Sequence, residues 1–138
     1  MFIFLCLLQQ EKILWKATEK LLELLLNFRQ DSIEQSIFEI NNIKEGMLHF
    51  SYDGAQSGYY KQKISCNISI DFLGYLFKEL RNKEFIIATK QKDLEPYILS
   101  HFTVKGNAIK KAIGAIEKIP SNDTKNLVNL IIKALQEA

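Results

Sequence analysis

Residues 69–119 read SIDFLGYLFKELRNKEFIIATKQKDLEPYILSHFTVKGNAIKKAIGAIEKI, and the way this run divides decides the fold. Ser69 is an N-cap residue type, and Ile70, Leu73, Phe77 and Leu80 then recur at helical spacing, with Phe72 and Leu76 widening the stripe. Gly74 inside that helix costs about 1 kcal/mol against alanine, so its presence points to another element approaching closely. Arg81-Asn82-Lys83 ends the helix, and EFIIAT (84–89) has the composition of a strand. Asp93 offers a cap for a helix through Phe102, with Pro96 in the first turn, where a missing N–H costs little. TVKGN (103–107) interrupts. Ala108–Ile119 reads as the next helix, with Ile109, Ala112, Ile113 and Ile116 inward and Lys110, Lys111, Glu117 and Lys118 outward, stopped by Pro120. Ser121 or Asn122 caps a last helix whose core face is Leu127, Leu130, Ile131 and Leu135.

Working back toward the N-terminus, Gln9–Gln30 shows apolar residues at Leu14, Ala17, Leu21, Leu24, Leu25 and Phe28, again a helical spacing. Leu22 and Leu26 broaden that face, so the helix is packed on two sides or meets a second copy of the chain. Ser32 and Gln35 fit a capping box, and Ile33, Ile37 and Ile40 lie on one face of a second helix ending near Asn41-Asn42, although IFEINNI (37–43) also fits a strand. After Gly46, MLHFSY (47–52) and YYKQKISCNI (59–68) flank DGAQSG (53–58), which predicts a β-hairpin. Two strands alone are marginal in water, so the hairpin needs helices against it or a third strand, for which EFIIAT is the candidate. The opening MFIFLCLL (1–8) is far shorter than the ~20 apolar residues of a spanning helix and has no basic n-region or small-residue cleavage site, so neither a membrane span nor a secretory signal is expected. It reads as a first helical turn or short strand against the domain, or as an exposed patch used for association.

The expected fold class is therefore α+β and mostly helical, in a single domain. It has two N-terminal helices (1–45), a small β-hairpin (46–68) and a four-helix unit (69–138) of helix-turn-helix or winged-helix-like form. The 138 residues are 47% apolar and 25% charged, as in soluble globular proteins, and only two prolines and six glycines argue against disorder or a turn-rich all-β fold. Two isolated cysteines, Cys6 and Cys66, fit buried thiols in a reducing, cytoplasmic setting better than a disulfide framework.

Net charge is only +2, but it is unevenly placed. Residues 1–68 carry 7 basic and 8 acidic side chains, whereas 81–118 carry 8 and 4. Such asymmetry points to an anionic partner or to a solvated helix face. No constellation names a reaction. His49 and His101 sit on different elements without an HxH, HxxxH or CxxC neighbour, and His101 at a helix C-terminus would have its charged form favoured by the helix dipole. GxSxG and GxGxxG are absent, and DGAQSG lacks the lysine and frame of a phosphate-binding loop. The expectation is a non-enzymatic protein without cofactor or metal.

The basic helical unit remains. In a helix-turn-helix the reading helix enters the major groove by its N-terminal end while its partner braces across the backbone. Residues 93–102 would brace and 108–118 would read, with Lys105, Lys110, Lys111 and Lys118 on phosphates and Asn107 reaching a base edge. The TVKGN connection is longer than the tight form, and the reading helix lacks arginine.

The run DFLGYLFKELRNKEFI…YILSHFTVKGNAIKKA resembles the C-terminal region of RteC-like regulators of Bacteroidetes conjugative elements over about residues 70–118, a third of the chain. The shared features are the aromatic-rich helix, the isoleucine-rich strand and the Tyr97-Ile98…His101-Phe102…Lys105-Gly106 segment. The resemblance implies cytoplasmic, DNA-linked regulation, with Lys105, Lys110 and Lys111 as contacts to double-stranded DNA. The competing expectation is an interaction or assembly domain, a homo-oligomer formed through residues 9–28.

Overall fold

The computed structural model describes residues 13–29, 36–50, 62–88 and 90–138. In chain order its elements are β1 (Ile13–Trp15), α1 (Glu19–Leu26), β2 (Phe38–Glu39), α2 (Ile43–Met47) followed by a 3-10 turn (Leu48–Phe50), β3 (Ile64–Cys66), α3 (Ile70–Asn82), β4 (Ile86–Ala88), a second 3-10 turn (Gln91–Asp93), α4 (Leu94–His101), β5 (Phe102–Val104), β6 (Asn107–Ala108), α5 (Ile113–Glu117) and α6 (Asn122–Glu137). The architecture is mixed α/β.

Helix α3 is the centre of the packing. Ser69 caps it as expected, its Oγ accepting from Phe72 N at 3.1 Å. Phe72, Leu73, Leu76, Phe77 and Leu80 are all buried, so one broad apolar face meets α5 and α6 on one side and α4 on another. At its C-terminal end Glu84 takes a left-handed conformation (φ 65°), and Phe85 N donates to Leu80 O at 2.9 Å, closing the helix with a Schellman-type bond. The chain then enters β4, a strand as expected at EFIIAT, but one that pairs with β1 in a separate two-stranded sheet instead of joining the strands of 46–68.

Four strands form a sheet in the order β2-β3-β5-β6. β2 and β6 run antiparallel to their neighbours, while β3 and β5 are parallel, with Ile64 opposite Phe102 and Cys66 opposite Val104. A parallel pair needs a long crossover, and α3, β4 and α4 supply it. Alternation along the strands sends Phe38, Ile64, Cys66 and Phe102 into the core and leaves Glu39, Ser65, Thr103 and Ala108 as a row on the other face.

Several expectations are corrected. Residues 9–30 do not make one helix: Ile13–Trp15 pair antiparallel with Ile86–Ala88, and the helix starts only after Thr18, whose side chain accepts from Leu21 N at 3.3 Å. A β-branched and an aromatic residue flank Leu14, and a partner strand was within reach, so pairing overrode the helical period. Leu22, Leu25 and Leu26 are core residues and are not available to a second copy. The second helix is absent from its described part: Phe38–Glu39 is a strand, and the helix comes later, at Ile43–Met47. Ser32, Ile33 and Gln35 lie outside the described residues.

The hairpin over 46–68 is also corrected. Residues 47–50 are helical, and β3 pairs with β2 and β5, two segments distant in sequence. The DGAQSG turn lies outside the described residues, as does MFIFLCLL. Four helices do follow residue 69, but the third is α5, five residues long, instead of Ala108–Ile119. In the last helix Ser121 is the cap, with Thr124 N donating to its Oγ at 3.3 Å. Its buried residues are Val128, Ile131, Ile132 and Leu135, whereas Leu130 is exposed.

Candidate nucleic-acid interface and a buried histidine pair

The expected reading helix is replaced by a hairpin. β5 runs into a two-residue turn at Lys105-Gly106, flanked by the pair Val104–Asn107. Both turn residues have positive φ, 51° and 81°, as a type I′ turn requires. That turn suits asparagine and glycine, so Lys105 holds a conformation costing roughly 1 kcal/mol for a side chain with a Cβ. The geometry is secured by the first sheet neighbour: Lys105 N donates to Cys66 O at 2.9 Å, and Gly106 N donates to Ser65 Oγ at 3.1 Å.

Beyond β6, residues 109–112 cross to α5 without forming helix, and Ile109 and Ala112 anchor this segment in the core. The start of α5 is fixed from a distance. Glu95, in the first turn of α4, accepts from Ala112 N at 2.7 Å and from Ile113 N. A carboxylate there satisfies two orphan amides and the helix's positive end. This contact and the β5–β6 pairing together exclude the helix from 108 to 112.

The five expected contacts are therefore not on one helix face. Lys105 is at the hairpin tip, Asn107 opens β6, and Lys110 and Lys111 lie on the segment after it, all four exposed. None of the three lysines has an ion-pair partner among the described residues. Lys118 is different: it is the C-cap of α5, and its Nζ lies 2.9 Å from Asp71 Oδ2 on α3. The brace expected at 93–102 is a helix, but its residues Leu94, Tyr97, Ile98 and His101 are buried in the core.

Behind the hairpin, the outer sheet face carries a shallow cleft of about 490 Å³ lined by Glu39, Asn41, Gln62, Lys63, Ser65 and Thr103, among others. Within it Asn41 Nδ2 donates to Gln62 Oε1 at 2.6 Å, Lys63 Nζ donates to Leu99 O at 3.0 Å, and Ser65 Oγ accepts from Gly106 N at 3.1 Å.

The sequence offered no signal for a second feature. His49 and His101, 52 positions apart, meet in the interior with their Nδ1 atoms 2.9 Å apart and 1% and 2% of their surfaces exposed. His49 Nε2 lies 2.9 Å from Gln62 O, a carbonyl that only accepts. Tyr97 OH donates to His49 O at 2.6 Å and receives Trp15 Nε1–H at 3.0 Å. Desolvation holds both imidazoles below their ordinary pKa, helped at His101 by His49 and Lys63, while Glu45 and the Gln62 carbonyl partly oppose it at His49. The expectation that the helix dipole would favour a charged His101 is thus reversed, because burial outweighs a helix end. Cys66, also buried, has its thiol pushed up to about 11 by desolvation. No group of three or more His, Cys, Asp or Glu among the described residues could hold a metal ion. No helix among them is long and apolar enough to cross a membrane.

No protein-family model matches the chain, and neither a curated protein nor a solved structure matches it significantly.

Proposed function

We propose that the protein is a non-enzymatic, cytoplasmic regulatory module that binds the backbone of double-stranded DNA through the β5–β6 hairpin and the segment following it. The observation that carries this reading is the exposure of Lys105, Lys110 and Lys111 within seven residues, with no ion-pair partner for any of them among the described residues. Asn107 lies between them and is exposed as well. The strained backbone at Lys105 adds support, because a left-handed lysine at a turn that favours asparagine is the kind of local cost that function maintains. In this reading the hairpin acts as the wing of a winged-helix-like arrangement, and α4 is a structural brace. Lys118 drops out of the contact set, because Asp71 neutralises it. The resemblance of residues 70–118 to RteC-like regulators points the same way.

The experiment is fluorescence anisotropy of a generic duplex at two salt concentrations. Three phosphate contacts predict a slope of log K against log salt of about −2.7. Lys110→Glu/Lys111→Glu should lower the affinity and flatten the slope. Absence of salt-sensitive binding by the wild-type protein rejects the reading.

A second reading, assembly through residues 9–28, is favoured by one observation. Leu14 and Ile87 oppose each other across β1–β4, 59% and 47% exposed. Light scattering after size exclusion separates the two: a homo-oligomer that Leu14→Lys dissociates would support assembly, and a monomer at every concentration would reject it.

A further inference from the structure

We infer that the His49–His101 pair is an acid-sensitive clamp that ties the entry points of the two central parallel strands to the 3-10 turn at residues 48–50. The placement of the two rings is the basis. His101 is the residue immediately before β5, and Gln62, whose carbonyl receives His49, lies two residues before β3. One imidazole therefore holds both strand starts.

The tautomers follow from hydrogen-bond chemistry. Gln62 O can only accept, so His49 carries a proton on Nε2; burial favours the neutral ring, which then presents a lone pair at Nδ1. The 2.9 Å contact between the two Nδ1 atoms then requires His101 to donate from Nδ1. Each ring is neutral in this arrangement. A proton added to His49 can only go to Nδ1, where it faces the Nδ1–H of His101; the contact survives only if His101 gives up that proton, and either way a charge is placed in a desolvated site. Protonation at His101 charges a ring packed against Tyr97, with centroids 4.2 Å apart. The ionisable groups facing the pair among the described residues are Glu45 from α2, Lys63 from the approach to β3 and Tyr97 from α4. Glu45 favours a charged His49 and Lys63 disfavours a charged His101, so His49 is the first to take up a proton.

The test combines two measurements on the full chain. Long-range ¹H–¹⁵N spectra at neutral pH should show His49 as the Nε2–H tautomer and His101 as the Nδ1–H tautomer; a charged ring, or His101 protonated at Nε2, overturns the clamp. Hydrogen exchange at about pH 4.5, some two units below the ordinary histidine value, should show Ile64–Cys66 and Phe102–Val104 amides losing at least tenfold more protection than α6 amides, which share only the global loss of stability. Uniform loss over α6 as well, or no loss at all, overturns it. In His101→Asn the amide occupies the Nδ1 position and can donate to a neutral His49 or turn its oxygen toward a protonated one. The acid-induced loss at β3 and β5 should therefore disappear in this variant, and its persistence unchanged overturns the clamp. Should the variant not fold, the wild-type tautomers and exchange pattern decide by themselves.

Discussion

Gly74 and Ala115 bring the backbones of α3 and α5 into contact: a Cβ at position 74 would sit 2.7 Å from the Ala115 carbonyl carbon and 2.8 Å from its oxygen. Backbone cannot step aside as the end of a side chain can. Gly74→Ala would gain about 1 kcal/mol of helix propensity but lose more through overpacking, which typically costs about 1–3 kcal/mol. The expected outcome is a lower midpoint in urea unfolding with an unchanged m-value; a higher midpoint would show that α5 docks elsewhere.

Glu95 organises the segment that carries Lys110 and Lys111. Its carboxylate accepts from Ala112 N and Ile113 N, 17 and 18 residues away. Glu95→Ala leaves two amides at a helix start without their acceptor, and such losses cost about 1–3 kcal/mol. Glu95→Gln keeps one acceptor oxygen without the charge and should lose less. Hydrogen exchange at residues 112 and 113 is the direct readout, and equal protection in all three proteins would refute the capping role.

In the proposed interface Lys105 sets stability against binding. Lys105→Asn places Asn-Gly in the type I′ turn, the pair that turn favours. Relief of the left-handed strain is expected to raise unfolding free energy by roughly 0.5–1 kcal/mol, while one phosphate contact is lost and the salt slope of DNA binding falls by about 0.9. A variant both more stable and equally tight for DNA would remove Lys105 from the interface.

The histidine pair makes stability pH-dependent with a definite sign. Both rings have folded-state pKa values below 6.5, their ordinary value. The unfolded chain then takes up protons that the folded chain does not, so stability is complete above about pH 6.5 and is lost as pH falls, by at most about 1.4 kcal/mol per pH unit for each proton. Denaturant titrations at stepwise lower pH should show this loss, and the loss should shrink in His101→Asn. A flat profile between neutral pH and the carboxylate range would mean that the rings titrate normally.

Cys66 is fully buried, and its thiol is raised to about 11. At neutral pH almost no thiolate is present, and reagent has no access. Alkylation followed by peptide mass mapping should leave Cys66 unmodified in the native protein and modified in denaturant. Rapid native labelling would show that β3 opens.

Much of the fold was legible wherever the signal was local. Ser69 and Ser121 announce α3 and α6 by their own side chains, the isoleucines of EFIIAT give β4, and Gly74 foretold a close approach that Ala115 makes. The same local reasoning failed at 108–112 and at 13–18. In the first case Asn107–Ala108 pair with β5 and Glu95 caps at 112; in the second Ile13–Trp15 pair with β4. Each partner is remote in sequence, and a helical period carries no record of it.

The candidate site divides in the same way. Composition alone located the cationic stretch at Lys105, Lys110 and Lys111, because charge is a property of residues. Whether those ammonium groups stand free was decided by tertiary packing, which gave Lys118 an Asp71 partner and gave the others none among the described residues. His49 and His101 are the extreme case: two unremarkable residues 52 positions apart are brought Nδ1 to Nδ1 and out of water only by the fold. Sequence determines which groups exist and what short-range structure they favour; burial and long-range pairing set their protonation and their exposure, since desolvation and Coulomb energies depend on distances that only the folded chain defines.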